Sequence, residues 1–559
     1  MANLLIRDAR IVPFRSRIDL ARERASHARA FGTGAASPAT VAGASHATGA
    51  KLARLNAQAS PPAVDIRIEG GRVVDVGNSL PHRGEEVLDA GGAFAIPGLW
   101  DAHAHLDLEA AKAARIDTLA TTCAEDALAL VAEAIRALPD GPGPATVQGF
   151  GHRLSNWPRV PTVAELDAVT GPVPTVLVSG DVHSGWLNSA ALRMLGLPTA
   201  TDADPGEPMR EDPWFAVLDR LDDIPGTREL RESGYRTVFA DMLAKGVTGV
   251  VDMSWADGPD DWGARIAAMA GAGALPAFPR IRACVYRDKL DAWIDAGLRT
   301  GLSLAGSPTG GDGLPLFTQG PLKVIADGSL GAASAHMCEP YPAELGAAHP
   351  HGIANIGRDE LTALMARGND AGFEMAIHAI GDAAMNDVAA AFAASGARGR
   401  LEHAQLLPEG AAGDGGALAT LVAREIEFSI QPAHLIDDWA AIDRIWPGRR
   451  ARTYAFADLL AAGGLLHLGS DAPVAPLDPW LAMSAAVGRR TPDGSVWSAG
   501  QRLSVEEALA SSVDGAGPLG VGSKADIALL PENPLTLDDA AIAALRPLAT
   551  IVAGGLTFG

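Results

Sequence analysis

Eight short apolar segments, separated by Ala/Leu-rich stretches, constrain this 559-residue chain more than any other feature. They run into His103 and His105, Asp252, Tyr286, Asp327, His378, His403, Gln431 and Asp471. Strands that alternate with helical patterns build a parallel α/β unit. Eight of them predict a (β/α)8 barrel, whose functional groups gather at the C-terminal strand ends.

Both chain ends have β character. Leu4–Pro13, Val64–Glu69 and Arg72–Val76 read as strands, the last two joined by the hairpin signal Gly70-Gly71. Further strands are expected near 522–530 and 547–557. The predicted organisation is an N-terminal part of a β-sandwich at 1–98, a catalytic barrel at 99–515 and the C-terminal part of the same sandwich at 516–559. Residues 15–62 are rich in Ala, Ser, Gly and Thr and read as a low-complexity mobile insertion, partly helical. The interval 106–236 is far longer than one helix and reads as an inserted lid or substrate region.

With 48% hydrophobic and 20% charged residues, the composition is that of a water-soluble globular protein. A net charge of −22 argues against nucleic-acid and anionic-membrane partners, which need a cationic surface. The expected partner is a small-molecule substrate, with a homodimer allowed. Cys123, Cys284 and Cys338 are widely spaced and cannot all pair, so a reducing, cytoplasmic setting is expected.

Residues i and i+2 of a strand share a face, so His103-Ala-His105 presents two imidazoles side by side, an arrangement suited to a divalent metal. Lys323, His378, His403 and Asp471 follow at later strand ends. Taken singly, each has a plainer reading: a polar residue facing a loop or, for Asp471, a helix N-cap. Their recurrence in register with the strand count favours a metal centre. Lys323, flanked by Leu322 and Val324, is costly to bury as a cation. Its neutral amine can add CO2, giving a carbamate able to bridge two metals.

His103-Ala-His105, Lys323-Val-Ile-Ala-Asp-Gly-Ser-Leu-Gly, His378-Ala-Ile-Gly-Asp382, Leu401-Glu-His403 and Gly469-Ser-Asp-Ala-Pro together resemble the amidohydrolase superfamily. Gly149-Phe-Gly and Pro161-Thr-Val-Ala-Glu-Leu-Asp sharpen the resemblance to the branch of N-substituted formamide deformylase and the YtcJ-like proteins. The resemblance implies that His103, His105 and Asp471 bind one metal, His378 and His403 a second, and carbamylated Lys323 bridges them. Ala332-Ala-Ser-Ala-His336 departs from the family's frequent Ser-Arg-Thr-Ala, which bears on substrate choice.

The expected protein is a hydrolase that cleaves an amide or formamide carbon–nitrogen bond with two divalent ions, zinc foremost, and Asp471 as the catalytic proton shuttle. A deacylase, cyclic-amide or ester hydrolase with the same centre is the alternative enzyme, and an inactive ligand-binding barrel the non-enzyme reading. His152, His183, Asp327, Gln431 and His434 are the expected substrate contacts. His467, inside Leu465-Leu-His-Leu, reads as a buried structural residue.

Overall fold

The computed structural model describes residues 3–559 apart from 32–60, 139–145, 153, 155–156, 180–183, 202, 219, 272 and 346–348. All eight apolar segments form one parallel sheet. Its strands are β1 (Leu99–Ala104), β2 (Val247–Asp252), β3 (Arg280–Tyr286), β4 (Phe317–Ile325), β5 (Met375–Ala379), β6 (Gly399–His403), β7 (Glu427–Ile430) and β8 (Leu466–Leu468). Each pairs with the next in chain order. Backbone bonds from Asp471 N to His103 O (2.6 Å) and from His105 N to Ala472 O (2.8 Å) bring the segment after β8 onto β1. The expected barrel is therefore present.

Strand alternation explains its two faces. Leu322 and Val324, Met375 and Ile377, Leu401 and Phe428 belong to one buried apolar cluster shared with the surrounding helices. Lys323, Ala376 and Glu402 occupy the intervening positions, which face the lumen. Fully burying a Leu-sized side chain contributes roughly 1.5–3 kcal/mol, so reversing this register would be prohibitive.

The chain ends form a second eight-stranded sheet. Leu4–Ile11 pairs antiparallel with Ala63–Glu69, which pairs with Arg72–Gly77 across Gly70 and Gly71, both at positive φ. Phe94–Pro97 lies between Leu4–Ile11 and Ile527–Leu530, knitting N-terminal to C-terminal sequence. The apolar run before His103 is thus two strands, divided at Gly98. A side chain there would collide with Thr248, 2.2 Å from the position of its Cβ.

The first part of the stretch read as an insertion is helical and packed against the rest of the chain. Arg17–Phe31 is a helix. Its Leu20 and Ala21 join the main apolar cluster, and Arg24 makes two bonds to Glu507, of 2.6 and 2.8 Å. His27 is exposed on this helix, whereas His46 lies outside the described residues.

The chain divides into two compact units. One comprises residues 1–105, 240–266 and 277–559, and the other 106–239 with 267–276. The second has its own five-stranded sheet, with Val147–His152 and Thr175–Ser179 parallel and Ser184–Leu187 antiparallel to them. Its helix Val163–Thr170 opens on a capping box between Thr162 and Glu165. No helix among the described residues is long and apolar enough to cross a membrane.

Candidate metal centre

At the C-terminal strand ends the histidines from β1, β5 and β6 converge. Ring centroids of His103 lie 5.6 Å from His105 and 5.0 Å from His403, and His403 is 4.5 Å from His378. Asp471 enters from the segment after β8. Its Oδ1 is 3.4 Å from His103 Nε2 and 3.3 Å from His105 Nε2. Ligand atoms of His103, His403 and Asp471 all lie within 4.8 Å of one another.

Two local backbone features produce this convergence. His403 and Asp471 both adopt left-handed conformations, at φ 71° and 58°. Such geometry costs about 1 kcal/mol or more at a non-glycine residue, and strain of this kind clusters at functional sites. At His403 it interrupts strand alternation, so adjacent Glu402 and His403 both serve the same centre.

Glu402 defines the state of His103. It is fully buried on β6, with Oε2 2.7 Å from His103 Nδ1 and Oε1 2.6 Å from Arg400 Nε. A carboxylate there makes Nδ1 the protonated nitrogen, which turns the Nε2 lone pair towards Lys323 Nζ at 3.1 Å and Asp471. Metal-ligating histidines are ordinarily oriented in this way by an outer carboxylate. Asp101 Oδ1 accepts from the backbone N–H groups of His103 and Ser470, fixing β1 to the β8 turn, and burial raises its carboxyl to about 6.

The electrostatics favour the ligating forms of His103, His403 and Asp471. Burial, aided by Lys323, lowers His103 to about 4. His403 is pushed well below the usual imidazole range by burial and by His378. Burial opposes ionisation of Asp471, but His103, His105, His403 and His434 outweigh it and hold the carboxyl well below normal. Lys323, only 2% exposed, is depressed by burial against the pull of Glu402 and Asp471. The Nδ1 of His105 is buried with no hydrogen-bond partner among the described residues. Several imidazoles and one carboxylate converging on one point fit a divalent cation.

The other expected residues divide. His434, in the turn Pro432–His434 after β7, places Nε2 3.2 Å from Ser470 O and 3.8 Å from Asp471 Oδ2, beside the cluster. His378 lies beside His403, but its Nε2 faces Gly328 O (3.2 Å) and Asp327 (3.3 Å), so only Nδ1 could serve a metal. Asp327 is corrected from substrate contact to structural anchor. It is fully buried, and its oxygens accept from the N–H groups of His336, Ile380 and Gly381. Gln431 is likewise buried, its Nε2 directed at Ser429 of its own strand. His152 belongs to the second unit, buried against Trp157, and His183 lies outside the described residues. His467 is buried between Glu427 and Arg17, the structural role expected of it.

Sequence reasoning missed Glu402, Asp101 and Trp255. Glu402 stands inside the Leu401-Glu-His403 motif, and Asp101 shares the parity of His103, so position alone could have flagged both. Trp255 follows β2 without a motif.

Comparison with known proteins accords with this geometry. Residues 86–558 match the model of the amidohydrolase family. The chain is 25% identical to N-substituted formamide deformylase of Arthrobacter pascens, over 88% of this chain and 94% of that protein. It is 28% identical to the Protein LONG AFTER FAR-RED 3 of Arabidopsis thaliana, over 85% of each. An uncharacterized metal-dependent hydrolase from Pyrococcus horikoshii OT3 shares the fold at 23% identity and TM-score 0.69, over 96% of this chain and 99% of that one. A family match spanning well over half its length makes this chain a member of the amidohydrolase family, and a hydrolase.

Proposed function

We propose that this hydrolase cleaves a non-peptide carbon–nitrogen bond, an amide or formamide, at a divalent-metal centre held by His103, His105, Lys323, His378, His403 and Asp471. The observation that carries the reading is the Glu402–His103 pair, which aims a neutral imidazole at the carboxylate of Asp471 and the amine of Lys323. The likeness to N-substituted formamide deformylase supports the bond type. Bound ions, with zinc the expected metal, would acidify a water and polarise the scissile carbonyl.

The chain's own groups supply the rest. Asp471, ionised by its histidine neighbours, accepts a proton from the attacking water and returns it to the leaving nitrogen. Water adds to the carbonyl carbon, the C–N bond breaks, and an amine and a carboxylate leave. His434 flanks the second oxygen of Asp471 and restrains that carboxylate. Burial lowers the pKa of the Lys323 amine, which favours the neutral form that adds CO2 to give a carbamate oxygen donor. The three cysteines are unpaired, which supports a reducing, cytoplasmic setting.

Zinc-loaded protein assayed against a panel of N-substituted formamides, simple amides and esters tests this reading. Formate and amine release from a formamide is expected. Turnover of esters alone would move the chemistry to oxygen leaving groups.

A further inference from the structure

Trp255 is half exposed although it is the largest apolar side chain beside the histidine cluster. Its indole is 5.5 Å from the ring of His105 at an interplanar angle of 22°, and 4.6 Å from Tyr286 at 13°. The loop carrying it is fixed. Met253 N donates to Ala104 O at 2.7 Å, the Tyr286 hydroxyl donates to Met253 O at 2.9 Å, and the thiol of Cys284 is 3.6 Å from Ser254 O. The ring is therefore held in contact with a ligating histidine while about half its surface stays open to solvent. Val474, three residues beyond Asp471 and bonded to its carbonyl through its own N–H (2.9 Å), is 64% exposed.

Large apolar side chains exposed singly on a surface need no explanation, but two attached to the ligand-bearing segments of one centre do. Ligand sites combine such apolar walls with a few polar groups that fix the reacting atoms.

Resting on the proposed amide-cleaving centre, we infer that Trp255 is a specificity-determining residue. Its exposed half is the wall against which a large apolar substituent of the substrate packs, so the substrate class is an amide with a bulky hydrocarbon group rather than a small or charged one. Val474 extends the apolar rim on the Asp471 side.

Two hydroxamates that chelate divalent ions without being amide substrates, octanohydroxamate and acetohydroxamate, separate this inference from the chemistry. With zinc-loaded protein, calorimetry is expected to show the octano compound binding at least about tenfold more tightly, the worth of burying roughly 50–60 Å² of apolar surface. Trp255→Ala should remove most of that preference while leaving acetohydroxamate affinity unchanged, and Trp255→Phe should keep most of it. The ratio of KM for long-chain over short-chain substrates should rise in parallel in Trp255→Ala. An undiminished chain-length preference in Trp255→Ala would overturn the inference. The intended preference without hydrolysis of any amide would leave the apolar wall standing and refute the proposed reaction. Failure of both hydroxamates to bind would refute both.

Discussion

Two of the clusters of histidine, carboxylate and cationic side chains among the described residues are wired in opposite ways. Beneath β7 and β8, His467 lies between Glu427 and Arg17, Arg17 also binds Glu427 at 2.8 Å, and Arg282 clamps Asp514 at 2.9 and 2.6 Å. Each acid there has a guanidinium, so the cluster is complete within itself. At the C-terminal ends, His103, His105, His403 and Asp471 converge beside the buried amine of Lys323, and Asp471 has no guanidinium partner among the described residues. The same residue types make a structural tie in one place and a candidate ligand set in the other. What separates them is whether the partners are already satisfied.

The largest effect should come from the lysine. Lys323→Ala is expected to lose most bound metal and at least about 10³-fold in activity, the several kcal/mol that metal-ion catalysis supplies. Partial rescue by acetate or propionate with added metal is expected if a free carboxylate stands in for the proposed carbamate oxygens. Absence of any effect on metal content would refute the proposed bridging role of Lys323 and blur the contrast between the clusters.

Next comes Asp471→Asn, which keeps the shape and removes the base. The rate constant should fall by about 10²-fold or more. Near-normal turnover with metal retained would transfer the proton shuttle to another group such as His434.

The satisfied cluster should answer in stability instead. Burial opposes ionisation of Glu427, but His467 and Arg17 outweigh it and bring the carboxyl to about 2 from an ordinary 4.5. A depressed carboxyl stabilises the fold above its unfolded pKa, and that contribution is lost as pH falls from 4.5 towards 2. Glu427→Gln is therefore expected to cost about 1–3 kcal/mol at neutral pH, to flatten the acid limb of a thermal-unfolding profile, and to leave metal content unchanged. Loss of metal in this variant would show that the clusters are coupled.

Much of this contrast was legible in the sequence, because barrel strands are short apolar runs that end in chemistry. His103, His105, Lys323, His378, His403 and Asp471 each stand at such an end, and His467, buried one residue into its strand, is distinguishable from them. What stayed hidden depends on backbone departures and distant partners. Alternation places Glu402 and His403 on opposite faces, and only the left-handed φ at His403 unites them. The helix Arg17–Phe31 has few large apolar residues, and part of its anchorage is Arg17 on Glu427 and Arg24 on Glu507, more than 400 residues away. Asp327 and Gln431 have the strand-end position of ligands but spend their polar atoms on neighbouring backbone or on Ser429.

The central claim is that the unsatisfied cluster is a metal centre on which hydrolysis depends. Elemental analysis of the purified protein, paired with formamide hydrolysis before and after exhaustive chelation, tests it most directly. Close to two divalent ions per chain, loss of activity with their removal and recovery on adding zinc are predicted. Full hydrolysis by metal-free protein would contradict it.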